Sequence, residues 1–126
     1  MTLHSPVAGR RVLVVEDDFN VAEAMAFLLA AEGIEVLGPV PTLQATFDLL
    51  AVTEHLDGAV VDVNLRGELA YPVADALRRR GVPFVFTTGY DTSSVAREAP
   101  GVPCLEKPVP REQLLDALFG PRDGSE

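Results

Sequence analysis

The stretch Leu56-Asp57-Gly58-Ala59-Val60-Val61-Asp62-Val63-Asn64-Leu65 is a short apolar run that ends on a carboxylate, Asp62. An apolar run bounded by turn residues indicates a strand that is buried on both faces of a parallel sheet. Open α/β sheets bind their ligands at the carboxyl ends of their strands, and Asp62 would lie at such an end. The stretch therefore predicts a central strand that carries an acid into a site.

The rest of the sequence alternates between strand and helix patterns. Apolar strand runs are predicted at about 11–16, 34–40, 58–62, 82–87 and 102–105, and helices at about 18–32, 42–53, 72–80, 92–99 and 110–119. This alternation predicts a flavodoxin-like (βα)5 fold of the α/β class, a doubly wound parallel sheet with strand order 2-1-3-4-5. The second strand contains Pro39, which favours an edge position.

Composition limits the classes of protein to which the chain can belong. Its 126 residues suit one domain over 10–120, with tails at 1–9 and 121–126 and no output domain. The formal charge of −9 argues against nucleic acid or an anionic membrane as partner. Cys104 is the single cysteine, so no internal disulfide is expected. Because neither a signal peptide nor a membrane-spanning run is evident, we expect a cytoplasmic protein.

Charged and hydroxyl side chains follow several of the predicted strands. Strands one and three are neighbours about 5 Å apart in the predicted order, which brings Glu16 and Asp17 close to Asp62. Clustered carboxylates repel one another, and a divalent cation such as Mg²⁺ is the usual counter-ion. Thr88 and Lys107 would add a hydroxyl and an ammonium at the same edge of the sheet. These groups together predict a phosphoryl-transfer centre with Asp62 as a candidate nucleophile.

Residues 11–119 resemble the receiver domains of two-component response regulators, the CheY-like superfamily. The resemblance rests on Val14-Val15-Glu16-Asp17-Asp18, Val61-Asp62-Val63-Asn64, Thr88 and Lys107-Pro108. More narrowly, residues 83–90, Pro-Phe-Val-Phe-Thr-Thr-Gly-Tyr, resemble the P-F-x-F-A-T-G-Y signature of the FAT GUY receivers. That group consists largely of single-domain receivers of alphaproteobacteria, and Thr87 stands here in place of its alanine.

The resemblance implies a role for each acid of the predicted site. Asp62 would be the phosphoacceptor, receiving its phosphoryl group from a histidine kinase or a histidine phosphotransfer protein. Asp17 and Asp62 would bind Mg²⁺ directly, and Glu16 would bind it through a water molecule. Asn64 would supply its backbone carbonyl to the metal.

The resemblance also implies how the signal leaves the site. Thr88 would be the switch hydroxyl, and Lys107 would pair with the phosphoryl group, with a cis bond between Lys107 and Pro108. The family commonly has Tyr or Phe three residues before the lysine, whereas this chain has Cys104. Tyr90, two residues after Thr88, is the nearby ring that could gate the site instead.

Three functions are compatible with these residues. The first is a stand-alone receiver that acts as a phosphoryl shuttle or sink, or that docks on a downstream protein or a second copy of itself. It would not be an enzyme beyond accepting its own phosphoryl group and slowly losing it. The second is an interaction module of the same fold that phosphorylation does not switch. The third is a small Mg²⁺ phosphohydrolase, because Asp62-Val63-Asn64 loosely resembles the Asp-x-Asp motif of haloacid dehalogenase-like enzymes.

Overall fold

A computed structural model describes residues 7–89 and 92–120. The elements are β1 (Arg11–Val15), α1 (Phe19–Ala30), β2 (Glu35–Val40), α2 (Leu43–Val52), β3 (Gly58–Asp62), β4 (Asn64–Leu65), β5 (Glu68–Leu69), α3 (Tyr71–Arg79), β6 (Phe84–Thr88), α4 (Ser93–Glu98), β7 (Cys104–Glu106) and α5 (Arg111–Phe119). The ten elements predicted from the sequence are present, and their observed boundaries lie within one or two residues of the predicted boundaries.

Five parallel strands form the main sheet in the order β2-β1-β3-β6-β7. Because β6 and β7 are its fourth and fifth strands along the chain, this is the predicted 2-1-3-4-5 order, and the flavodoxin-like α/β class is confirmed. Strand β2 lies at the edge, as its proline indicated. No described helix has the length and apolarity that crossing a bilayer requires.

The sheet is covered on both faces, which explains why its central strands are apolar up to the polar residues at their carboxyl ends. All five residues of β3 and all five of β6 are buried. One face packs against α2, α3 and α4, and the other packs against α1 and α5. The fully buried ring of Phe86 lies edge-on to Tyr71 and Phe84, at centroid distances of 5.6 and 5.7 Å.

A short hairpin after β3 was not among the elements predicted from the sequence. Strands β4 and β5 pair antiparallel around Arg66 and Gly67, which have φ values of 54° and 93°. Two-residue hairpin turns with positive φ at both positions match the twist of the flanking strands. The strands have two residues each, too few to show a period, and Arg-Gly lacks the Asn or Asp that usually marks such a turn.

The domain packing begins before residue 10. Val7 is buried in the cluster beneath α1 and α5, and the backbone N–H of Gly9 donates to the Gly33 carbonyl at 2.8 Å. The last residues of the predicted N-terminal tail therefore belong to the fold. Residues 1–6 and the predicted C-terminal tail 121–126 lie outside the described residues.

Candidate functional site

The strand ends of β1 and β3 bring three acids together. Parallel pairing sets Val15 opposite Val61, so the residues that follow both strands share one edge. Carboxylate oxygens of Glu16, Asp17 and Asp62 all lie within 4.8 Å of one another. Glu16 and Asp62 are only 5% and 6% exposed. The predicted meeting of these acids is thus present in the structure.

Lys107 lies between two of these acids. Its backbone N–H donates to the Thr88 carbonyl at 2.8 Å, which places the residue directly after β7 beside the end of β6. Its Nζ lies 2.7 Å from Glu16 Oε1 and 3.0 Å from Asp62 Oδ2. A single ammonium therefore bridges the strand ends, and it offsets part of the repulsion between the two carboxylates.

Asn64 and Thr88 lie at the same edge of the sheet. The backbone N–H of Asn64 donates to Asp62 Oδ1 at 3.1 Å, and the Asn64 side-chain oxygen accepts from the Gly67 N–H at 2.6 Å. Thr88 is buried at the end of β6. Both carboxylate oxygens of Asp62 are thus held, one by a backbone amide and the other by Lys107, so its orientation is fixed.

These side chains line an open cleft of about 660 Å³. Its lining residues are Glu16, Asp17, Asp18, Val21, Asp62, Asn64, Arg66, Gly67, Thr88, Gly89 and Lys107. All the residues that were predicted for the site and that the structure describes lie here. Tyr90, the predicted gate, lies outside the described residues.

The donor set of the cleft suits a hard divalent cation. Three carboxylates carry more negative charge than the Lys107 ammonium neutralises, and carboxylate oxygens are the ligands that Mg²⁺ prefers. Asp17 and Asp62 are the acids that would bind the ion directly, with Glu16 beside them. These residues therefore fit the metal that the sequence predicts.

Burial and neighbouring charges shift the protonation of the cleft. Burial raises the pKa of Glu16 to about 7; its bonds with Lys107 and with the Asp18 backbone oppose the shift, and the nearby Asp62 charge adds to it. Burial tends to lower the pKa of Lys107, but its bonds to Glu16 and Asp62 outweigh that effect and the pKa is raised. At neutral pH, without a metal, Glu16 is thus close to its midpoint while Lys107 stays charged.

The raised pKa of Glu16 predicts how stability depends on pH. A carboxyl whose pKa is higher in the folded than in the unfolded chain stabilises the fold at low pH, and that contribution is lost as the pH rises through about 7. Without divalent ions we expect the free energy of unfolding to fall by on the order of 1–2 kcal/mol between pH 5.5 and 8 through this group. Chemical denaturation across that pH range measures it.

The control for this prediction is Glu54→Gln, which removes an exposed acid after α2. We expect Glu16→Gln to flatten the pH dependence and Glu54→Gln to leave it as it is. Saturating Mg²⁺ should also flatten it, because a cation favours the charged carboxylate. Equal slopes in wild type and Glu16→Gln would contradict the assignment.

Arg66 is a residue of the cleft that the sequence reasoning missed. Its Nε lies 3.6 Å from Asp17 Oδ2, and the side chain is 77% exposed. Only its position four residues after Asp62, in an Arg-Gly pair, could have indicated it. That signal depends on recognising the hairpin, which the sequence does not show.

Cys104 occupies the position where the resemblance leads one to expect an aromatic ring. It begins β7, is half-buried and packs against the core cluster on the α3 side of the sheet. Burial raises the pKa of its thiol, and the charge of Glu106 adds to this effect. A neutral, half-buried thiol behaves as a small apolar group.

The chain belongs to the response regulator receiver domain family, whose model matches residues 12–119. Its fold and cleft are thus those of a receiver domain of two-component systems, a phosphorylatable class that interacts with histidine kinases or phosphotransfer proteins. This confirms the family resemblance that the sequence motifs indicated.

Individual proteins agree with this membership. The chain is 30% identical over 112 residues to the uncharacterized transcriptional regulatory protein YbdJ of Bacillus subtilis, covering 85% of this chain and 48% of YbdJ. It is 34% identical to SdrG of Sphingomonas melonis, with a TM-score of 0.76, covering 86% of this chain and 95% of that one. A Burkholderia pseudomallei response regulator with a phosphorylated aspartic acid and a calcium ion is 25% identical, with a TM-score of 0.75. The match covers 86% of this chain and 66% of that one. The chain spans half or less of the length of the curated relatives that it matches.

Proposed function

We propose that this chain is a phosphoacceptor receiver that takes a phosphoryl group onto Asp62, with Mg²⁺, from a histidine kinase or a histidine phosphotransfer protein. The observation that carries the proposal is the placement of Asp62. Its carboxylate is buried, one oxygen is held by Lys107 and the other by the Asn64 amide, and two further acids lie alongside. The phosphorylated aspartic acid of the Burkholderia relative supports it.

The reaction that this geometry suits is an in-line displacement at phosphorus. A carboxylate oxygen of Asp62 forms a bond to phosphorus, the bond from phosphorus to the donor imidazole nitrogen breaks, and the electron pair of that bond leaves with the imidazole. The Lys107 ammonium, 3.0 Å from Asp62, stabilises negative charge on the phosphoryl oxygens. Mg²⁺, when bound, would supply further charge neutralisation at the same oxygens. Asp17, Glu16 and the Asn64 carbonyl are the residues that would hold it.

The remaining roles are part of the same proposal. Thr88 is the switch hydroxyl. Cys104 stands where the family commonly has an aromatic residue, and we propose that Tyr90 is the gate instead. We also propose that the chain is a FAT GUY receiver, because residues 83–90 match that signature except at Thr87. We propose a stand-alone cytoplasmic protein that works as a shuttle, as a sink or by docking on a target, and that is not an enzyme in its own right.

The surface of α1 supports a protein as the phosphodonor. Glu23 is the single charged residue of α1. A helix with so few charged residues is normally covered by other parts of a protein or by a partner protein. An apolar groove of about 480 Å³ runs between α1 and the segment after β7, and it shares Val21 and Lys107 with the acidic cleft. A protein donor that delivers its phosphoryl group to Asp62 must cover this adjoining surface. We therefore place the docking face of the phosphodonor protein on α1.

A matched pair of substitutions tests this docking face. Phe27 on α1 and Val52 at the end of α2 are both 77% exposed, and each can be replaced by lysine with the same change in charge. We expect Phe27→Lys to slow phosphotransfer from the cognate kinase by about tenfold or more, since it places a charge in an apolar interface. Val52→Lys should transfer at the wild-type rate. Rapid-quench phosphotransfer assays measure both.

Labelling by a small donor separates docking from a damaged site. Both variants should accept phosphate from acetyl phosphate at the wild-type rate, because that donor needs no protein surface. Equal kinase rates in Phe27→Lys and Val52→Lys would place the docking face elsewhere.

The proposed function is tested by a phosphotransfer profile against the histidine kinases of the source organism, with Mg²⁺ present. We expect one kinase to label the chain far faster than the others, with a label that hydroxylamine removes. If neither a kinase nor acetyl phosphate labels the chain, the proposal is wrong and an unswitched interaction module is the better account. Turnover of an added phosphate ester would instead indicate a phosphohydrolase.

A further inference from the structure

The β4–β5 hairpin places a cation at the entrance of the acidic cleft. The Asn64 side chain binds the Gly67 N–H at 2.6 Å, and the Ala70 N–H donates to the Val63 carbonyl at 2.8 Å, so both ends of the hairpin are held. Arg66 occupies the turn with a φ of 54°, a conformation that is uncommon for residues other than glycine, asparagine and aspartate. The turn directs this arginine towards Asp17.

The contact between Arg66 and Asp17 is a weak one. The Nε–Oδ2 distance of 3.6 Å is longer than that of a hydrogen bond, and the arginine side chain is largely exposed. Exposed ion pairs of this kind stabilise a protein little. By contrast, Lys107 makes two short contacts with Glu16 and Asp62. The Arg66 guanidinium can therefore leave Asp17 at small cost, whereas the Lys107 ammonium is firmly held.

When an anionic donor enters, the cleft needs a cation in addition to Lys107 and the bound metal ion, because these two already offset the charge of the carboxylates. A phosphoryl donor brings negative charge to a site that already carries three carboxylates. Guanidinium groups bind phosphate oxygens in a bidentate manner, with a fixed fork geometry that an ammonium lacks. Arg66 lines the cleft together with Asp62, on the hairpin side of that acid.

We propose that Arg66 exchanges partners: it neutralises Asp17 in the metal-free protein and, once a metal ion takes Asp17, binds the phosphoryl oxygens of the entering donor. The inference rests on the proposed function, because it gives a role to a residue of the same site. In the reaction with acetyl phosphate, Asp62 forms the new bond to phosphorus, the bond from phosphorus to the acetate oxygen breaks, and acetate leaves with the electron pair. Arg66 holds the phosphoryl oxygens and gives up no proton.

The exchange predicts two effects of opposite sign for Arg66→Asn. Asparagine tolerates positive φ, and Asn-Gly is a favoured pair for this turn, so the hairpin is retained. Loss of the competing cation should strengthen Mg²⁺ binding about two- to fivefold. Loss of the bidentate guanidinium contact should lower the second-order rate constant for labelling by acetyl phosphate about tenfold at saturating Mg²⁺. Isothermal titration with Mg²⁺ alone gives the first value, and intact-mass kinetics give the second.

Two further variants act as controls. Arg66→Lys keeps the positive charge but loses the bidentate geometry of the guanidinium group. Its Mg²⁺ affinity should therefore stay near that of the wild type, while its labelling should be as slow as that of Arg66→Asn. Arg79→Gln removes an exposed cation from α3 and should change neither quantity. A general loss of structure in Arg66→Asn would weaken metal binding and labelling together, which would overturn the proposal.

The failure of this inference can be told apart from a failure of the proposed function. If acetyl phosphate labels the wild type and Arg66→Asn at the same rate, the role of Arg66 is wrong and the receiver function stands. If the wild type is not labelled at all, the proposed function itself fails. Unchanged Mg²⁺ affinity in Arg66→Asn would refute the partner exchange whatever the labelling rate.

Discussion

Replacing Asp62 by asparagine is expected to abolish labelling, lowering the rate by about three orders of magnitude or more for kinase and acetyl phosphate alike. An amide oxygen is a poor nucleophile and cannot form the acyl phosphate that a carboxylate forms. The substitution is nearly isosteric, and the amide oxygen can still accept the Asn64 N–H. The loss therefore reports chemistry and not a change of shape. Intact-mass spectrometry after incubation with the donor measures it.

The same substitution should make the metal-free protein more stable. The charge of Asp62 raises the pKa of Glu16, so its removal lowers that pKa and leaves Lys107 with one carboxylate to pair. Asp75→Asn, which removes an exposed acid from α3, should keep both the labelling rate and the stability of the wild type. A labelled Asp62→Asn protein would show that the phosphoryl group resides on another side chain.

The sequence predicted the sheet well because its central strands are buried on both faces. The apolar runs that became β3 and β6 contain no polar residue before their ends, which is what a strand covered by helices on both sides requires. Strand order then followed from general rules for parallel sheets. With β1 and β3 adjacent, the meeting of Asp17 and Asp62 was a consequence of their positions at the strand ends.

The parts that the sequence did not predict depend on local turn geometry, on the placement of single side chains and on tertiary packing. The hairpin around Arg66 has two-residue strands, and its turn depends on a positive φ that arginine seldom adopts. The pairing of Lys107 with Glu16 depends on where the segment after β7 places one flexible side chain. The burial of Val7 depends on the tertiary packing beneath α1 and α5. Neither periodicity nor motif spacing contains this information.

Lys107→Met is expected to destabilise the metal-free protein by about 2–4 kcal/mol at pH 8. The variant keeps the apolar stem of the side chain but leaves Glu16 and Asp62, both nearly buried, without their shared ammonium. The bond with Lys107 lowers the pKa of Glu16, so its loss raises that pKa further and the destabilisation shrinks as the pH falls. Chemical denaturation at pH 8 and pH 5.5 measures both effects. Arg79→Met, an exposed cation of α3, is the control and should cost a few tenths of a kcal/mol.

Two results would confirm that the cost comes from unpaired carboxylates. Mg²⁺ should restore stability to Lys107→Met more than it adds to the wild type, since the ion replaces the missing positive charge. In the Asp62→Asn background, Lys107→Met should cost less, because one of the two carboxylates is already gone. Lys107 is also the single lysine of the sequence, so a lysine-selective isotope label gives one side-chain amine signal. That signal should titrate at a raised pKa, and a fall of that pKa in Asp62→Asn would show the ion pair directly.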